Sequence, residues 1–283
     1  MLEIQILLPA FLACLVMTGL LAYLGLHVLA REVIFVDIAL AQIAALGSAV
    51  ANLVGIDREV QPTRSYLWSL GFTFLGAAIF AATRGLRRRV PQEAFIGIAY
   101  AVSAATAILV ANYLPKGDEE IKEILVGSLL TVGLKEVAIT ALIFSVLGVF
   151  HFVFRKRFIE LSFDHEAPGH VHDESWSAIL WDLAFYMTFG VVIASSVRMA
   201  GVLLVFSFLI VPAVFSALFT KRLGVRLIMA WTLGVVVSGL GLSASFHLDW
   251  PTGATVVVAF GAALVLGAVV RVILSAREKA PSV

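Results

Sequence analysis

The segment VDIALAQIAALG, Val36 to Gly47, carries a carboxylate and an amide inside one of the most apolar parts of the chain. An ionisable group in such a setting costs several kcal/mol unless it is paired or wet, so Asp37 is a functional candidate on physical grounds alone. Wound as a helix at about 100° per residue, the segment and its continuation to Gly55 place Asp37, Ala41, Ala44, Ser48, Asn52 and Gly55 within about 80° of arc. Gln42 lies off that lane. A lane of small and polar residues has two readings. One is close helix packing with Ser and Asn as interhelical hydrogen-bonding groups. The other is the wall of a substrate path. Asp37 stands about two turns from a basic helix end, where an ordinary ion pair is also available to it.

Two further sets of residues have ligand chemistry. His247 and Asp249, in SFHLDWPTG, combine imidazole and carboxylate, which both suit divalent metals. The same pair also fits a solvated helix terminus. The stretch DHEAPGHVHDE holds His165, His170 and His172 among acidic residues, a composition that binds metal loosely or forms a solvated linker. HEAPGH is one residue too long for a zinc-protease HExxH. Its two histidines, five apart with Pro168 between them, do not share a helix face, which argues against metal-dependent hydrolysis. Asp182, in LWDLAFY, reads as structural, and Tyr100, Ser103 and Thr106 as a packing stripe.

These residues must be positioned by membrane helices. The 283 residues are 61% hydrophobic and 14% charged, where a soluble domain has about half and about a quarter. The spacing predicts spans near 4–29, 33–56, 66–84, 93–114, 135–154, 177–197, 201–219, 227–247 and 252–271, each near the roughly 20 residues a crossing needs. The first apolar run is too long for a cleavable signal and reads as a span. The piece from Glu123 to Gly133 is too short to cross. Pro212 sits in the middle of 201–219, so that segment reads either as a kinked span or as two short helices folded back at one face. Seven to nine crossings follow, in one all-α integral membrane domain over residues 1–283.

Fourteen of the 20 Lys and Arg fall in alternate connections: Arg31; Arg84 and Arg87 to Arg89; Arg155 to Arg157; Lys221, Arg222 and Arg226; and the tail. The positive-inside rule makes that set cytoplasmic. The net charge of +1 gives no reason to expect nucleic acid. The single cysteine, Cys14, excludes an intramolecular disulfide. No GxxxxGK[ST] loop is present, so the chain has no phosphate cradle of its own for ATP.

Five stretches taken in order resemble the membrane permeases of zinc/manganese/iron ATP-binding-cassette importers. They are GLHVLAREVIFVDIALAQIAALG, VPQEAFIGIAYAVSAA with Glu93 and Gly97, LVGSLLTV, AGVLLVFSFLIVPAVFSALFTKRLG, and GLGLSASFHLDWPTGATVVV. The resemblance implies a helical fold related to the vitamin B12 and siderophore importer permeases, in a bacterial inner membrane. It implies a second permease copy, cytoplasmic ATPase subunits that bind the ATP, an extracytoplasmic metal-binding protein, a transported divalent metal, and no cofactor held by this chain. It places ATPase coupling in region 205–226, with Pro212, Lys221 and Arg222, and makes 158–176 a His-rich cytoplasmic loop. The sequence departs from the family at its opening motif. The family pattern has an Asp with a His four residues later, and here that residue is Ala41. Aligned on Gly47 instead, Gln42 takes the His position, offering an amide oxygen in place of imidazole. The rival functions are a secondary carrier acting alone and an intramembrane metalloprotease built on the histidine loop.

Overall fold

A computed structural model describes residues 2–86, 89–114, 117, 127, 129–163 and 175–278. Among the described residues ten α-helices follow in chain order: α1 Leu2–Ala30, α2 Val36–Leu53, α3 Pro62–Ala82, α4 Gln92–Ala111, α5 Leu134–Val153, α6 Arg155–Phe163, α7 Trp176–Ala200, α8 Val202–Phe219, α9 Leu223–Leu248 and α10 Thr252–Glu278. Among the described residues there is no strand. Every helix except α6 is long and apolar enough to cross a membrane. The protein is a multi-pass membrane bundle, with nine spans among the described residues, the upper end of the expected range. Their bounds sit close to the apolar runs, because in lipid only a helix satisfies its own backbone polar groups.

Hydrogen bonds and close contacts check the topology. Tyr66, Thr73 and Phe80 of α3 meet Ser195, Gly190 and Tyr186 of α7 in reverse order, so these two helices run antiparallel. Phe208 and Phe215 of α8 meet Phe260 and Gly267 of α10 in the same order, so those run parallel. Alternating crossings require both. The basic connections therefore gather at one end, which the charge rule makes cytoplasmic.

The α7–α8 link is the single residue Gly201, at φ 77° and ψ 162°. That region is open to glycine and strained for a side chain. Gly47 serves close approach instead. A Cβ there would lie 2.9 Å from the Trp68 carbonyl oxygen and 3.0 Å from Ser69 Cα, so α2 and α3 pack at backbone distance.

The two readings of 201–219 are now separated. Residues 202–219 form an uninterrupted helix with Pro212 inside it. A proline forfeits one backbone bond, here to residue 208. Phe208 is buried and packs edge-to-face on Phe260 at 5.0 Å, and such packing holds the turn without that bond. The alternative of two short folded-back helices is therefore not adopted.

Candidate functional site

Asp37 lies in the first turn of α2 and is 2% exposed. The positive end of a helix dipole favours a carboxylate there. Its Oδ1 has no hydrogen-bond partner, and no described cation pairs with it. The simple edge ion pair available to Asp37 on sequence grounds is therefore not made. Ala41 above it is buried as well.

One to two turns further out the lane opens. Ala44 and Ser48 line a crevice between the outer ends of α2, α3 and α7, with Ser65, Tyr66 and Ser69 of α3, Ala194 and Arg198 of α7, and Arg58 of the α2–α3 loop. The Ser48 and Ser65 hydroxyls are 3.0 Å apart. Ser195 donates to Val191 O at 2.7 Å, so the Tyr66 hydroxyl, 2.7 Å away, donates to Ser195. Of the predicted lane, Ala44 and Ser48 thus line open space, while Asp37 and Ala41 are closed in. Gln42 is buried outside the crevice lining, and Asn52, half-buried, is also outside it.

The other candidates do not join this site. His247 and Asp249 are exposed at the end of α9, where Asp249 takes the left-handed cap at φ 52°. Among the described residues no three His, Cys, Asp or Glu side chains are placed to hold a metal. His165, His170 and His172 lie outside the described residues, as do Glu123 to Val126 and Ser128 of the short apolar piece. Lys221 and Arg222 are exposed in the turn between α8 and α9. Pro212 is buried mid-helix, which removes it from any surface offered to a partner.

A buried polar cluster at the cytoplasmic end escaped the sequence reading. Arg31 donates to Asp182 Oδ1 at 2.8 Å and to Ser162 Oγ at 2.8 Å. Its guanidinium lies 3.9 Å from the Phe185 ring centroid. His27 Nδ1 shares Ser162 Oγ at 2.8 Å. Thr188 donates to the Ala184 and Phe185 carbonyls, so at 2.9 Å it accepts from His151 Nε2, which leaves that proton off Nδ1. The cluster ties α1, α5, α6 and α7 together. Beside it, Glu93 Oε1 accepts the Ile34 N–H at 2.6 Å and pins the α1–α2 turn to α4. Gln92 donates to Phe80 O and to the Tyr186 hydroxyl.

Residues 3–271 match the model of the ABC 3 transport family. The chain belongs to that family. It is 27% identical over 201 residues to the manganese transport system membrane protein MntC of Listeria monocytogenes, covering 69% of this chain and 70% of that one. It is 24% identical over 210 residues to the chelated iron transport system membrane protein YfeC of Yersinia pestis, with 71% and 70% covered. The structure of PsaBC from Streptococcus pneumoniae in complex with Fab superposes with a TM-score of 0.73 at 20% identity, over 93% of this chain and 91% of that one. At that identity the likeness speaks for the fold, and this family member shares its helical architecture.

Proposed function

We propose that the chain is the permease subunit of an ATP-driven importer for a divalent metal, and that the α2 lane forms part of the path. Family membership and relatives named for manganese and chelated iron transport support the first statement. The observation that carries the second is the crevice. Ala44 and Ser48 line an opening at the outer end of the same helix face that holds the buried Asp37, its Oδ1 without a hydrogen-bond partner, below. An open outer half above a closed inner half suits one state of an alternating-access cycle. A transported ion needs release as well as binding, so a path with few strong ligands is a workable one. Energy enters from a separate ATPase that would dock at the exposed Lys221–Arg222 turn. A second permease copy and an extracytoplasmic binding protein complete the assembly, as the family resemblance implies.

The test is radiolabelled manganese or zinc uptake by cells carrying Asp37→Ala, with membrane levels of the protein checked by blotting. Uptake is expected to fall at least about tenfold, the effect of losing one strong charged contact. Wild-type uptake and selectivity in that variant would remove Asp37 from the path. Uptake into liposomes by the chain alone, without ATP, would instead favour a secondary carrier.

A further inference from the structure

We propose that the cytoplasmic ends of α1 and α5 are joined through a buried water site enclosed by Tyr23, His27, Arg31 and His151. Among the described residues eight buried side-chain nitrogen and oxygen atoms have no hydrogen-bond partner. Four of the eight belong to this one cluster: Tyr23 Oη, His27 Nε2, Arg31 Nη2 and His151 Nδ1. Native interiors leave few such atoms, and each costs free energy unless something bonds to it. The four side chains stand together. The Tyr23 ring centroid is 4.6 Å from that of His27 and 5.6 Å from that of His151. All three rings lie within electrostatic reach of the Arg31 charge.

The neighbouring bonds fix where the protons of two neutral imidazoles sit, and the protons select the guest. Arg31 Nε donates to Ser162 Oγ, so the Ser162 proton goes to His27 Nδ1. His27 then carries its own proton on Nε2, an unused donor. His151 donates from Nε2 to Thr188, which leaves Nδ1 an unused acceptor. Arg31 Nη2 adds a donor, and the Tyr23 hydroxyl can both give and accept. The guest must accept from N–H groups and also donate to the His151 lone pair. Water does both, and buried waters typically make about three such bonds. An anion has no proton for His151. A divalent metal meets a proton on one imidazole and repulsion from the guanidinium. A contact made through water holds nearly as well as a direct bond, and the water exchanges when its neighbours shift. α1 and α5 can therefore slide here while the Arg31–Asp182 pair keeps α1 on α7, a freedom that alternating access requires at a closing end.

The experiment uses the full chain purified in detergent, with denaturant unfolding and a map that resolves ordered solvent as readouts. Tyr23→Phe keeps the ring and removes only the hydroxyl. It should lower the folded-to-unfolded ratio about fivefold, the worth of one net hydrogen bond. Tyr23→Phe/His151→Phe should lose less than the two single variants added together, because one water serves both groups while both rings stay in place. Solvent density should lie within hydrogen-bond distance of Tyr23 Oη and His151 Nδ1. An unchanged or raised ratio in Tyr23→Phe would overturn the proposal, since it marks a hydroxyl bonded to nothing. Strict additivity in the double variant would overturn it too, because the two groups would then share no guest. So would density that EDTA removes, the sign of a metal held between the imidazoles.

Discussion

Arg31 and Asp182 form an ion pair at 2.8 Å with side chains 1% and 0% exposed, joining the end of α1 to the start of α7 across 151 residues of sequence. Two charges so deeply buried stabilise the fold only as a pair, since each alone keeps its full desolvation cost. Asp182→Ala or Arg31→Ala should each destabilise the protein by about 3–5 kcal/mol. The double variant Arg31→Met/Asp182→Leu should lose much less than the sum, because it leaves no uncompensated charge. Thermal melting of the detergent-purified protein checks this, and equal losses in single and double variants would contradict it.

The α1–α2 turn hangs on the Ile34 N–H, which donates to Glu93 Oε1 at 2.6 Å. A carboxylate acceptor makes this one of the stronger backbone contacts in the fold. Glu93→Ala should cost about 1.5–3 kcal/mol, and Glu93→Gln, which keeps an acceptor oxygen, less. Hydrogen exchange at the Ile34 amide gives the local readout: it should speed up in the alanine variant, while amides in α9 stay protected.

Much of this architecture was legible in the sequence, for one physical reason. A lipid-crossing helix must be about 20 residues long and apolar, and both properties are local. The lane through Ala44 and Ser48 was legible for a similar reason, since helical geometry alone sets which residues share a face. The Arg31–Asp182 pair was not, because no local rule states which helix ends become neighbours. Asp182 reads as structural from its position near a helix end, but its partner is invisible without the fold. The same holds for Arg198 and Tyr66, which become crevice residues only once α7 lies against α3. Pro212 left its segment ambiguous: its local chemistry permits a break, and packing of the surrounding turn keeps the helix whole.

Gly47 sets the separation of α2 and α3, and with it the shape of the crevice. Its missing Cβ would stand 2.9 Å from the Trp68 carbonyl oxygen, which is backbone and cannot rotate away. Gly47→Ala should therefore push the helices apart and cost about 1–3 kcal/mol, the usual penalty of overpacking. Melting temperature reports the loss. A stabilised Gly47→Ala would mean that the gain in helix propensity outweighs the steric term, and that α2 is free to shift.

Cysteine labelling tests the division of the lane into an open and a closed half. The single native cysteine, Cys14, is buried in α1, so the wild-type background is low. Ser48→Cys should react with a membrane-impermeant maleimide added from outside, because its position lines the crevice. Ala41→Cys, two turns closer to the cytoplasm and 1% exposed, should not. The contrast should weaken when the partner ATPase is trapped with ATP, since alternating access closes one end as it opens the other. If Ala41→Cys and Ser48→Cys label equally fast in every state, the lane is not gated between them.

The exposed turn at Lys221 and Arg222 is the remaining surface with a proposed role. Arg226 donates to the Thr220 carbonyl at 2.7 Å and the Arg222 N–H to Thr220 Oγ1 at 3.2 Å, so the turn is shaped from within while its two leading cations face outward. A rim charge of this kind acts mainly on the rate of association and on its salt dependence. Lys221→Glu/Arg222→Glu should therefore reduce ATPase co-purification and uptake together, with the loss growing as ionic strength falls, because two repulsions replace two attractions. Stability should change little, since neither side chain is buried. Undiminished co-purification at low salt would move the docking surface elsewhere on the cytoplasmic face, with the basic face of α6, Arg155 to Arg157, as the next place to test.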